Sequence, residues 1–131
     1  MNKKTNILIV NDDGIESYGI AKLAAMAANF GDVWVVAPEG QCSGMSQRLT
    51  IFNELNVQER EFPATVRAAY SVSGTPADCV KAAIKALLPV RLDVVLTGIN
   101  RGYNAGFDIA YSGTVGAALE AVMNGVPAIA F

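Results

Sequence analysis

Histidine is absent from all 131 residues. That excludes Ser-His-Asp and Cys-His nucleophile pairs, histidine metal sites and a histidine general base. Any chemistry must come from carboxylates, hydroxyls, amides, backbone N–H groups or a bound ion. Cysteine is scarce: Cys42 and Cys79 are far apart and form no CxxC pair, so the usual zinc and redox spacings are missing. Each reads as a small packing residue. Basic residues are few and scattered, ten Lys and Arg against twelve Asp and Glu, which argues against a nucleic-acid polymer surface. No apolar run approaches the ~18 residues of a spanning helix, and "MNKKTNILIVNDDG" has too short an apolar stretch for a signal peptide. The chain reads as cytoplasmic, with no membrane partner.

What is present is a globular composition, 52% hydrophobic and 17% charged, with no linker, repeat or low-complexity tract, so residues 1–131 read as one domain. "TNILIV" at 5–10 has the β-branched apolar run of a buried strand, and 17–30 carries apolar residues at helical spacing, with Ser17 as N-cap and Gly31 as stop. "DVWVVAP" at 32–38 is the next strand, and "LTIF" at 49–52 and "VRAAYSV" at 66–72 read as two more, joined by a polar connector. The best-marked helix is "GTPADCVKAAIKALLP" at 74–89, with Thr75 as N-cap, Pro76 at the first helical position and Asp78 in the first turn. "LDVVLTG" at 92–98 is a strand, and a long loop leads to the helix "TVGAALEAVMNG", closed by Gly125, before a last strand in "VPAIAF". Strands alternating with helices predict an α/β fold, a three-layer sandwich with a mostly parallel sheet and helices on both faces. Ligands gather at the carboxyl ends of such strands, where the polar loops after 5–10, 32–37 and 92–97 should converge.

The first of these loops, Asn11-Asp12-Asp13-Gly14, sets two carboxylates side by side. They repel each other and cost desolvation unless something neutralises them. Both can approach one point only if the chain bends, which Gly14 permits. A hard cation is one reading; a turn and helix-cap pair is the other. Ser43 offers a hydroxyl oxygen and Asn100 an amide oxygen from the other two loops. Taken alone, Ser43 is an ordinary loop serine. Together the four make an all-oxygen set suited to magnesium, manganese or calcium, with no zinc expected. Ser112, Gly113 and Thr114 precede a helix, a seat for phosphate or a simple N-cap. The loop glycines match neither GxxxxGK[ST] nor GxGxxG.

Four ordered blocks, "NDDGI", "APEGQCSG", "SGTPADCV" and "TGINRGYNAGFDIAYSGTVGAALE", run from about Ile7 to the end of the chain. Together they closely resemble the SurE family of survival proteins, metal-dependent 5'(3')-nucleotidases of Rossmann-like fold. The resemblance implies that Asp12, Asp13, Ser43 and Asn100 ligate one divalent ion, that Asn11 orients the loop, and that Asp12 or Asp13 takes a proton from water. It also implies phosphate contacts at Gly44, Asn104, Ser112, Gly113 and Thr114. Gln41-Cys42 stands where family members often have a basic residue before the loop serine, and Glu120-Ala121 stands where they have Glu-Gly. Family members continue past "VPAIAF" into a region that completes the fold and supplies a dimerisation arm. The resemblance therefore implies a core portion of a longer homodimer or higher oligomer, with an exposed sheet edge at 127–131.

The expected activity is hydrolysis of nucleoside 5'- or 3'-monophosphates. Two other readings compete with it. A phosphorylated receiver domain shares the length and the acidic pair, yet "LTIFNELNV" offers no acceptor Asp and no lysine follows Lys85. A non-catalytic remnant that binds metal or nucleotide without turnover is the stronger rival.

Overall fold

The computed structural model describes residues 3–131. The α/β sequence pattern resolves into a six-stranded sheet of order β3-β4-β2-β1-β5-β6, formed by β1 (Thr5–Val10), β2 (Gly31–Pro38), β3 (Val57–Glu59), β4 (Ala68–Val72), β5 (Val94–Thr97) and β6 (Ala128–Ala130). All neighbours are parallel except β3 and β4. Alternation along β1 divides the core into two layers. Ile7 and Ile9 meet α1 (Tyr18–Ala27) through Ile20, Leu23 and Ala24. Leu8 and Val10 meet α2 (Pro76–Ala82) and α3 (Gly113–Met123) through Cys79, Val80, Ala117 and Ala121. This is the three-layer arrangement that the alternating pattern predicts.

Several boundaries differ from the sequence reading. "LTIF" is not a strand: the outer edge of β4 is taken by β3, from the polar connector, and Phe52 is 95% exposed. Backbone pairing at an edge made β3 without any apolar signal. Gly31 does not stop α1 but opens β2 beside Thr5, where a Cβ would come within 2.1 Å of the Thr5 carbonyl oxygen. Ser17 precedes α1 without capping it, because its hydroxyl accepts from Asn11 Nδ2 at 2.7 Å. α2 ends at Ala82 and widens into a π turn over Ala83–Leu87, closed by Leu88 N donating to the Ala83 carbonyl at 3.2 Å. The long loop contains a 3-10 turn, Gly106–Tyr111. Gly125 takes φ +79° directly after Asn124 and closes α3 as a left-handed residue should.

The start of α2 also anchors a loop. Thr75 Oγ1 accepts from Asp78 N, and Asp78 Oδ2 accepts from Thr75 N at 2.9 Å, a complete capping box. The same buried carboxylate accepts from Thr50 N at 2.9 Å and from Thr50 Oγ1 at 2.6 Å. Asp78→Ala would strand these donors, two of them backbone N–H groups. We expect a loss of about 2–4 kcal/mol in chemical denaturation. A loss below about 0.5 kcal/mol would show that water replaces the carboxylate at no cost.

Candidate active site

The carboxyl ends of β1, β2 and β5 lie side by side, and the loops that leave them are tied together by backbone contacts. Cys42 N donates to the Asp12 carbonyl at 2.6 Å, Gly98 N to Val10 at 2.8 Å, and Ser46 N to Tyr111 at 3.0 Å. Asn11, fully buried, donates from Nδ2 to the Gly14 carbonyl at 2.9 Å as well as to Ser17, so it braces the bend that carries the acidic pair. Gly14 has φ +98°, and a Cβ there would stand 3.1 Å from the Gly40 carbonyl carbon, so this bend admits little else.

Asp12 is 3% exposed and points at the start of α3. Its Oδ2 accepts from Thr114 N at 3.3 Å, a favourable place for a negative charge at a helix N-terminus. Its Oδ1 is buried with no hydrogen-bond partner, as is Asn11 Oδ1. Burial pushes the Asp12 carboxyl above its ordinary 3.8, the polar groups of Thr114 beside it oppose the rise, and the Asp13 charge adds to it. Asp13, half-buried, accepts from Arg101 N at Oδ2, 3.0 Å. The repulsion between the paired carboxylates is thus only partly answered by the protein itself.

A cleft of about 260 Å³ opens over Asp12, bordered by Ser43, Gly44, Asn100, Asn104 and Ser112. All six are residues to which the sequence reading assigns a ligand or phosphate role; Gly44 and Asn104 entered through the resemblance alone. Arg101, Tyr103, Asp108 and Tyr111 also border the cleft, and no spacing rule singles them out. Gly113 and Thr114 lie beneath the cleft and do not line it. A Cβ at Gly113 would stand 2.9 Å from the Asp12 Cβ, so this glycine lets α3 start against the carboxylate. Thr114 gives its N–H to Asp12, and Val115 gives its own to Ser112 Oγ at 3.2 Å. These two donors of the helix start are therefore already engaged.

A divalent ion fits the donor set. Asp12 with its orphaned carboxylate oxygen, the Ser43 hydroxyl and the Asn100 amide border one cleft, the Asp13 carboxylate follows Asp12 directly in the chain, and all are hard oxygen donors. Among the described residues no three His, Cys, Asp or Glu side chains gather as a metal site. An ion here would depend on Ser43 and Asn100 to complete its shell.

Together these features define a parallel α/β protein with an oxygen-lined ligand site at the carboxyl rim of its central strands. The family model described as "Survival protein SurE" matches residues 7–131, and the chain belongs to the SurE family. It is 50% identical over 125 residues to a 5'-nucleotidase SurE of Clostridium botulinum (strain Kyoto / Type A2), covering 95% of this chain and 49% of that protein. It is 46% identical over 124 residues to the 5'-nucleotidase SurE of Pelotomaculum thermopropionicum, covering 95% and 48%. The crystal structure of the SurE protein from Aquifex aeolicus superposes with a TM-score of 0.88 at 42% identity, over 96% of this chain and 50% of that one. The chain spans about half the length of the curated relatives it matches. No helix among the described residues is long and apolar enough to cross a membrane.

Proposed function

We propose that the chain carries the metal- and phosphate-binding half of a nucleotidase that hydrolyses nucleoside 5'- or 3'-monophosphates in the cytoplasm. The observation that carries the reading is the buried, unpartnered Oδ1 of Asp12 beneath a cleft lined by further oxygen donors. A lone carboxylate oxygen in that position costs free energy unless a cation or a proton meets it. The relatives named 5'-nucleotidase supply the substrate class.

In this reading Asp12, Asp13, Ser43 and Asn100 hold one magnesium, manganese or calcium ion. When bound, the ion offsets the charge of the phosphoryl oxygens and makes water acidic enough to attack phosphorus at neutral pH. The chain's own residues do the rest. Asn11 keeps the 11–17 bend in register, so Asp12 stays at the cleft with Asp13 beside it in the chain. Gly44, Asn104 and Ser112 border the space left for phosphate, and Gly113 and Thr114 fix its floor through Asp12. The acidic pair takes up the proton released by the attacking water, a task no histidine is present to perform.

Phosphate release from 5'- and 3'-nucleoside monophosphates, measured with manganese, with magnesium and with chelator, tests this directly. Chelator-sensitive release is expected. Manganese binding without any release would replace hydrolysis by the non-catalytic binding reading, and release that survives chelation would exclude the ion.

A further inference from the structure

Two clefts flank the carboxylate pair. The smaller, described above, opens over Asp12 and is lined by short polar groups. The larger, about 730 Å³, lies between α1 and the 99–101 segment and carries Asp13, Tyr18, Lys22, Gln41 and Ile99. The two share Asn100 and Arg101, so they adjoin at Asn100, one of the residues proposed to hold the ion. A phosphomonoester seated with its phosphate over Asp12 would direct the rest of the molecule past Asn100 into the larger space. A third cleft, of about 560 Å³, lies beyond Tyr18 beside Arg60 and Phe62 and reaches neither Asp13 nor Asn100.

The first turns of α1 build the wall of the larger cleft. Tyr18 and Lys22 are four residues apart and share one helix face. Lys22 Nζ lies 5.0 Å from the centroid of the Tyr18 ring, a cation–π contact that restrains the ring. Gly19 lets the helix backbone meet the Ile99 carbonyl: a Cβ there would come within 2.2 Å of that oxygen. The 99–101 segment is therefore seated on α1, and the width of the cleft is set by backbone contact. Tyr18 nonetheless remains 76% exposed, an aromatic ring held at a cleft mouth with most of its surface uncovered.

We propose that the larger cleft is the nucleoside subsite, with Tyr18 as the platform on which the base stacks and Ile99 as an apolar wall. The inference rests on the phosphomonoesterase reading and deepens it. Stacking on an aromatic ring is open to every base, because each has a π-face.

Calorimetric titration of the manganese-loaded chain with adenosine 5'-monophosphate and, separately, with inorganic phosphate is the test, on the wild type, Tyr18→Ala and Tyr18→Phe. The Ala variant should bind the nucleotide about tenfold more weakly relative to phosphate, and Phe, which keeps the ring face, should restore the ratio. A loss shared equally by nucleotide and phosphate, or none in the Ala variant, overturns the subsite. So does a wild type that holds the nucleotide no more tightly than phosphate, which would leave the phosphate reading standing. A wild type that binds neither overturns that reading and the subsite together.

Discussion

Asp12→Asn is expected to lower nucleotide hydrolysis by at least about a thousandfold and to abolish stabilisation by divalent ions, while leaving the metal-free protein at least as stable as the wild type near neutral pH. The three outcomes share one cause. The Asp12 carboxyl is held above its ordinary 3.8 by burial and by Asp13, so the folded chain binds its proton more tightly than the unfolded chain does. The contribution of that proton to stability is complete below pH 3.8 and is lost as pH rises through the folded value. At neutral pH the wild-type site without metal is left with a desolvated charge beside another carboxylate. An uncharged amide of the same shape removes the penalty, and it keeps an oxygen for Thr114 N.

An ion bound as proposed would reverse the balance for the wild type. At a hundredfold excess over its dissociation constant a ligand adds about 2.7 kcal/mol. In chelator the wild-type melting temperature should therefore fall relative to that of the variant as pH rises, and it should recover when manganese is added, whereas the variant should not respond to manganese. Thermal melts of both proteins across pH, with and without manganese, check this. An Asn variant that still gains stability from manganese would remove Asp12 from the ligand set.

Gly116→Ala should damage the site from a distance. A Cβ at 116 would stand 2.0 Å from the Ser46 carbonyl oxygen and 2.9 Å from Gln47 N, backbone atoms that cannot rotate away. Alanine gains up to about 1 kcal/mol over glycine inside a helix, but overpacking of this kind costs about 1–3 kcal/mol or more. The overlap wins. The loop cannot yield locally, because Ser46 N and Oγ donate to Tyr111 and Ala110 at 3.0 and 2.9 Å and Gln47 Nε2 donates to Glu120 Oε2 at 2.9 Å. Displacement should carry through to Ser43, three residues away in the same loop, and a shift of about 1 Å at a reacting centre costs about a hundredfold in rate. We expect a lower melting temperature, with hydrolysis reduced about a hundredfold. Wild-type turnover at an unchanged melting temperature would show that α3 moves as a unit to absorb the methyl group.

The sequence by itself determined the layers and the rim. Apolar alternation in "NILIV" assigns Ile7 and Ile9 to one face and Leu8 and Val10 to the other, and the strand-helix order places polar loops after β1, β2 and β5 at one end. It also singled out Asp12, Ser43, Asn100 and Ser112, which border one cleft, because the first three offer hard oxygen donors from three loops that converge on one rim and the fourth opens a helix. What depended on pairing between distant segments was decided only by the tertiary structure. β3 exists because β4 had a free edge, and "LTIF" stays out of the sheet because that edge was taken. Thr114 N serves Asp12, and Ser17 serves Asn11, because each donor or acceptor turns to the partner that burial leaves most in need. The larger cleft arose the same way, from a glycine that lets Ile99 rest on α1, a contact between residues 80 positions apart that no local pattern encodes.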